Sequence, residues 1–485
     1  MLKGSVMSDV AAPPGLIDRA LRRVTALWRD IASSTPAEAD GIAAQMRACL
    51  EARGGEVSAR SRAARLAQSY LAADHAARGE FLLALAGFDS DAAAVAEAWE
   101  AVAAAPDAAA RAGAKARLRR VLEPPRLRLM TQFTTIPDGV KFLVELRADL
   151  MARMKGEPLL QALEADLRGL LASWFDVGFL ELRRIDWTSP AELLEKLVGY
   201  EAVHRIRTWR DLKNRLDSDR RCYAFFHPRM PDEPLIFVEV ALVEGMAASV
   251  QGLLDEKAPL LDARKADTAV FYSINNCQRG LDGISFGNFL IKRVVEVLSA
   301  EFGNLSCFAT LSPIPGFRAW LDEKLEAGDT TLVTEEEAQA LRLVAPPDPA
   351  LAAPGAEAGV AVAETPGQTL RRLIARRGWA RVEAASRQLE PILTRACARY
   401  LLAESGRGGR RARDPVAHFH LSNGARVERL NWRGDTSEKG FREACGLMVN
   451  YRYDPANIED YHEQYAGEGK RAASPALRKL AKSFL

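Results

Sequence analysis

One change of composition, near residue 175, constrains the fold of this 485-residue chain more than any other feature. Upstream of it alanine and leucine dominate, β-branched residues are few, and apolar positions recur at three and four, the signature of helices that pack through one stripe. Leu143, Leu146, Leu150 and Met154 share a face, and Leu160, Leu163, Leu167, Leu170 and Trp174 repeat the pattern. Each stripe requires a partner helix. Residues 101–120 read as an alanine-rich, solvated outer helix whose late arginines suit its dipole and which Pro124 and Pro125 stop. Downstream, the run FDVGFLELRRIDW brings in aromatics and isoleucine, and the elements become mixed. The expectation is an α+β multidomain chain, with an all-α helical bundle over 1–175 and an α/β domain over 176–485.

Charge and cysteine content narrow the functional classes. Sixty-six Lys and Arg against 64 Asp and Glu leave a formal charge of +2, far from the basic excess that general phosphate-backbone binding needs, so nucleic acid is not an expected partner. No uncharged run reaches the roughly 18 to 20 residues of a membrane span. The six cysteines are scattered without a CxxC pair, which argues against a zinc cage or a disulfide framework and for a reducing compartment. Neither end carries a targeting pattern, so a cytoplasmic location is expected.

Within the second region, Ser189, Pro190 and Glu192 form a helix-start signature, with the serine as cap and a helix through Val198. Two apolar, aromatic-rich runs, 221–227 and 235–243, predict strands joined by the turn HPRMPDEP. Two more strands are predicted over 268–274 and 305–311. Between them lies an amphipathic helix carrying Ile291, Val294, Val295, Leu298 and Phe302 on one face, a βαβ-like unit. Residues 345–368 lack any periodic pattern and read as a flexible surface insertion.

Four stretches hold candidate chemistry. In FYSINNCQRGLDGISFGNFLIKR a strand runs into a loop with Gly280, Gly283 and Gly287 just before the helix, an arrangement that suits phosphate or a plain connection. Its spacing is neither GxGxxG nor GxxxxGK[ST]. In LSPIPGF, Ser312 precedes a proline that holds it extended, a mount suited to proton transfer, to donation to an oxyanion, or simply to a turn. HFHLSNGARVERLNW places His418 and His420 at alternate positions, which on a strand would face one way. No third ligand completes a metal site there, while one histidine could act as an acid or base. CGLMVNYRY ends on Tyr453, whose hydroxyl could orient a substrate, and the basic run RGGRRAR reads as a solvated loop.

Taken in order, FYSI, QRGLDG, FLIKRVV, LSPIPGF, FHLSNGA, LNW and CGLMVNYRY resemble the malonyl-CoA decarboxylase family, and RCYAFFHP with EPLIFVEVAL extends the likeness upstream. The resemblance implies a helical bundle used in oligomer contacts, followed by a catalytic domain of the acyl-CoA N-acetyltransferase type. It implies conversion of malonyl-CoA to acetyl-CoA and CO2 without a metal or organic cofactor, by a homo-oligomer for which a tetramer is one arrangement. It also implies that Ser312, His420 and Tyr453 are the catalytic residues. Acyl-CoA contacts map to Asp282, Gly283, Ile284, Ser285, Phe286, Gly287 and Asn288. Ser285 stands where some relatives carry glutamate, so no carboxylate role transfers to it. Position 191 is alanine, so a disulfide described for some relatives has no partner atom here. An acyltransferase of the same fold and a silent acyl-CoA-binding scaffold are the alternative readings.

Overall fold

Leucine seams account for the first half of the architecture in a computed structural model that describes residues 28, 31–32, 41–51, 55–284, 290–344, 364–376, 378–406, 408–482 and 484. The helices Gly139–Arg153 and Pro158–Trp174 pack together, with Leu143, Leu146 and Leu150 of one and Leu163 and Leu167 of the other removed from solvent. The second seam closes on Leu171, four residues beyond Leu167, while Leu170 and Trp174 are only half-buried. The alanine-rich stretch is two helices rather than one. Ala92–Ala103 ends before Asp107, whose carboxylate accepts from Ala110 N–H and starts Ala108–Leu122, a helix that buries none of its residues. Pro125 then opens a new helix, Pro125–Phe133, at the one helical position where its missing N–H costs nothing.

Beyond residue 175 the described residues form a seven-stranded sheet. Its strands are β1 (Glu181–Ile185), β2 (Arg220–Phe226), β3 (Ile236–Val243), β4 (Thr268–Asn276), β5 (Cys307–Thr310), β6 (Arg426–Asn431) and β7 (Met448–Tyr453), in the order β1-β2-β3-β4-β5-β7-β6. Both faces are covered, which is why β2 and β3 read as continuous apolar runs. Because side chains alternate along a strand, Tyr223, Phe225, Val238, Val240 and Phe271 enter the large core, while Cys222, Ala224, Phe226 and Phe237 form a second cluster with Leu194, Leu197 and Leu212. Each such aliphatic or aromatic side chain contributes about 1.5–3 kcal/mol on burial.

Two local expectations are corrected. The helix Ala191–Tyr200 is preceded by Pro190 with no side-chain cap, and Ser189 Oγ instead accepts from Asp186 N–H at 3.1 Å. Thr365 to Gln368 are not part of an unstructured insertion. Thr365 and Gln368 form a reciprocal capping box that starts the helix Pro366–Ala375, whereas 345–363 lie outside the described residues.

The sheet positions the site through its single parallel pair. Parallel strands need a crossover, and the helix Leu290–Glu301 supplies it, burying Ile291, Val294, Val295 and Leu298 as the periodicity predicts. Pairing of β4 with β5 stops at Phe271 and Thr310. β4 continues beside β3 with Tyr272 bulged out between the pairs Val240–Phe271 and Glu239–Ser273. After β5 the chain turns to β7 instead, Ser312 and Val449 exchanging N–H···O bonds of 2.8 and 3.0 Å. The sheet therefore opens between β4 and β5 beside Ser312. Among the described residues no helix is long and apolar enough to cross a membrane.

Candidate active site

Ser312, His420 and Tyr453, drawn from three separate stretches of chain, meet beside that opening. Ser312 Oγ lies 3.1 Å from His420 Nε2 and 2.8 Å from Thr310 Oγ1. His420 Nδ1 lies 2.8 Å from the Tyr453 hydroxyl. Pro313 holds the serine extended, and the Val449 bridge fixes its backbone on both sides. Tyr453 ends β7, opposite Phe308 of β5, which places its hydroxyl on the same side of the sheet as the Ser312 side chain.

His420 is presented by a short helix, Pro415–Ser422, not by a strand. Asp414 explains why the chain turns helical here. Its Oδ1 accepts from Val416 N–H at 3.0 Å and Ala417 N–H at 2.9 Å, and Pro415 occupies the first helical position. At 100° per residue the two histidines then point about 200° apart. His418 turns to the Tyr465 hydroxyl at 2.8 Å, so the two rings share no position where a metal could sit between them. Among the described residues no cluster of three or more His, Cys, Asp or Glu could hold a metal ion.

The electrostatics follow from burial. His420 is 3% exposed and its ring stacks on Tyr451, centroids 4.5 Å apart at 25°. Loss of hydration pushes its pKa down to about 3, so the imidazole is neutral at physiological pH. Burial likewise pushes the Tyr453 phenol well above its ordinary value, so it keeps its proton. A protonated phenol donates, and directed at Nδ1 it leaves the ring proton on Nε2, facing Ser312. The serine hydroxyl is then free to donate to Thr310 Oγ1, which also accepts from Tyr451 N–H at 3.1 Å.

The glycine-bearing loop begins as a single 3-10 turn, Arg279–Leu281, after β4. Asp282 and Gly283 are exposed, Ile284 is buried, and Gly283 adopts a positive φ of 74°. Ser285, Phe286, Gly287 and Asn288 lie outside the described residues. In the basic run 407–413, Arg413 pairs with Glu323, and Arg407 lies outside the described residues.

Three further neighbours, Thr310, Tyr451 and Asp414, are not among the residues singled out from the sequence. Thr310 is the last residue of an ordinary strand, and Tyr451 precedes Tyr453 at the strand period of two, which does place both rings on one face. Asp414 had a usable signal: Asp followed by Pro before an apolar run marks a helix start.

Comparison with known proteins extends this geometry to the whole chain. The family models described as the malonyl-CoA decarboxylase N-terminal and C-terminal domains match residues 88–175 and 178–484. The mitochondrial malonyl-CoA decarboxylase of Anser anser anser is 38% identical over 382 residues, which is 76% of this chain and 72% of that one. Among solved structures, the malonyl-CoA decarboxylase of Rhodopseudomonas palustris gives a TM-score of 0.77 at 42% identity, covering 92% of this chain and all 100% of its own. That of Agrobacterium vitis gives 0.77 at 40% identity, with 91% and 99% covered. Because both regions match in the order in which they occur here, the chain belongs to the malonyl-CoA decarboxylase family, whose members are carboxy-lyases.

Proposed function

We propose that this protein converts malonyl-CoA to acetyl-CoA and CO2, with Ser312, His420 and Tyr453 as one proton-handling unit. The observation that carries the reading is the unbroken contact from the Tyr453 hydroxyl through the His420 ring to Ser312 Oγ, beside the opening between β4 and β5. Decarboxylation needs no metal or organic cofactor here, because the thioester carbonyl itself accepts the electron pair left when CO2 departs. The enolate that forms must be stabilised where its oxygen gains charge. Removal of one such donor typically costs about 3–4 kcal/mol of barrier.

In this reading the Ser312 hydroxyl donates to that oxygen or to carbon 2 and draws a replacement proton from His420 Nε2, 3.1 Å away. A neutral imidazole suffices as the source, since a thioester enolate is a far stronger base than the imidazolate left behind. Tyr453 keeps the ring in the tautomer this requires. Asp282, Gly283 and Ile284, together with Ser285, Phe286, Gly287 and Asn288, are the acyl-CoA contacts in this reading. In the same reading the helices upstream of residue 175 form the contacts of a homo-oligomer that works in the cytoplasm.

The test is purified protein mixed with malonyl-CoA, without added metal or acceptor, followed by mass spectrometry. Equimolar acetyl-CoA and CO2 are expected. Intact malonyl-CoA despite demonstrable binding would overturn the reading and favour the silent scaffold, and CoA release only on addition of an amine would favour the acyltransferase.

A further inference from the structure

The turn that leads toward the helix Leu290–Glu301 is held from outside the sheet. Arg147, in the middle of the helix Gly139–Arg153, is 2% exposed, and its Nη1 donates to Gly280 O at 2.6 Å and to Asp282 O at 3.0 Å. Its other edge, Nε and Nη2, donates to Glu164 Oε1 on the neighbouring helix at 3.0 and 2.5 Å. One helical turn beyond Glu164, the exposed Arg168 donates from Nη2 to Gly283 O at 3.0 Å. Gly280 is required for this fit, because a Cβ there would lie 1.7 Å from Val144 O.

Three carbonyls of one short turn, those of Gly280, Asp282 and Gly283, are thus tied to two guanidinium groups that belong to the helical region. In a trans peptide the C=O and the following N–H point opposite ways. Fixing the Asp282 carbonyl on Arg147 therefore turns the Gly283 N–H away from that guanidinium, and Gly283 is exposed. A carbonyl bonded to a guanidinium polarises its own peptide unit and strengthens that unit's N–H as a donor; the Arg147 charge is met by Glu164, so the net positive charge behind the turn is that of Arg168. A turn so polarised favours an anion.

We propose that Arg147 and Arg168 are positioning residues for the acyl-CoA substrate, and that through them the helical region sets the turn that receives its diphosphate. This rests on the acyl-CoA reading above and gives the helices a part in substrate binding apart from any oligomer contact. Arg147→Lys keeps the charge and loses the planar fork that spans two carbonyls and Glu164. Arg168→Ala alters only a surface side chain and leaves the fold intact.

Both variants would be assayed on malonyl-CoA and on malonyl-N-acetylcysteamine, a thioester with no diphosphate, and their affinity for CoA measured by calorimetry. Each should raise KM for malonyl-CoA and Kd for CoA about tenfold, equivalent to ~1.4 kcal/mol, with kcat within about twofold and the truncated thioester turned over as by wild type. Equal losses on both thioesters would reduce the arginines to a structural role, and unchanged KM and Kd would overturn the proposal outright. Wild-type protein that binds CoA but spares malonyl-CoA would remove only the decarboxylase reading, with the two Kd shifts deciding this one. Failure to bind CoA at all would remove both.

Discussion

A neutral His420 changes what the pair with Ser312 can do with a proton. Among the described residues its ring reaches no carboxylate to offset the cost of burying an imidazolium, and the pKa falls to about 3. kcat should then be flat from about pH 8 down past the usual histidine range near 6.5, and a midpoint near 6.5 that vanishes with His420 would contradict the neutral ring. The linkage sign is fixed. Between the unfolded value of about 6.5 and the folded one the unfolded chain binds more protons, so stability is full above that range and falls with pH by up to ~1.4 kcal/mol per unit until the folded value is passed. Urea titrations of wild type and His420→Asn over this range should differ by that slope. The same variant should lower kcat by roughly 10²–10⁴ with CoA affinity kept. Tyr453→Phe removes the donor to Nδ1 and frees the tautomer, so it should cost kcat about tenfold.

Asp414 shows how one element can set two functional residues at once. Its Oδ1 caps the helix that carries His420, while Oδ2 lies 3.4 Å from both Gly316 N and the Tyr400 hydroxyl, at the far end of the LSPIPGF turn that carries Ser312. Asp414→Ala should therefore lower stability by about 1–3 kcal/mol and kcat more than KM, measured by thermal unfolding beside steady-state kinetics. A lowered Tm with wild-type kcat would confine Asp414 to capping. The same element marks where sequence reading ran out. Ser312, His420 and Tyr453 were legible because they sit in rare strings, and β2 through β5 because apolar runs and turn residues bounded them. HFHLS alternates at the strand period of two, and only the Asp-Pro before it marks the helix. Ser189 looked like a cap by type, yet its hydroxyl is taken by Asp186 N–H, a competition that local pattern does not reveal.

At the scale of the molecule, the break in composition near 175 is not a break in packing. One hydrophobic cluster runs from Leu146 and Leu163 of the helices to Phe271 and Tyr453 of the sheet and on to Leu401. Polar contacts cross at the same place: Lys141 Nζ donates to Glu233 Oε1 at 2.5 Å, Arg147 to the glycine-bearing turn, and His227 Nε2 lies 3.0 Å from Trp174 O. Lys141 and Glu233 are both nearly inaccessible, so separating the regions would expose apolar surface and leave each of these groups to be resolvated or unpaired. The helical and sheet regions should consequently unfold in one calorimetric transition, and two separable transitions would show that each folds alone. Gly280→Ala sharpens the test, since its added Cβ would strike the Val144 carbonyl in the helix. If the regions are one cooperative unit, that substitution should lower the single midpoint for the whole chain; if they are not, it should split the transition and leave the helical region melting where it did before.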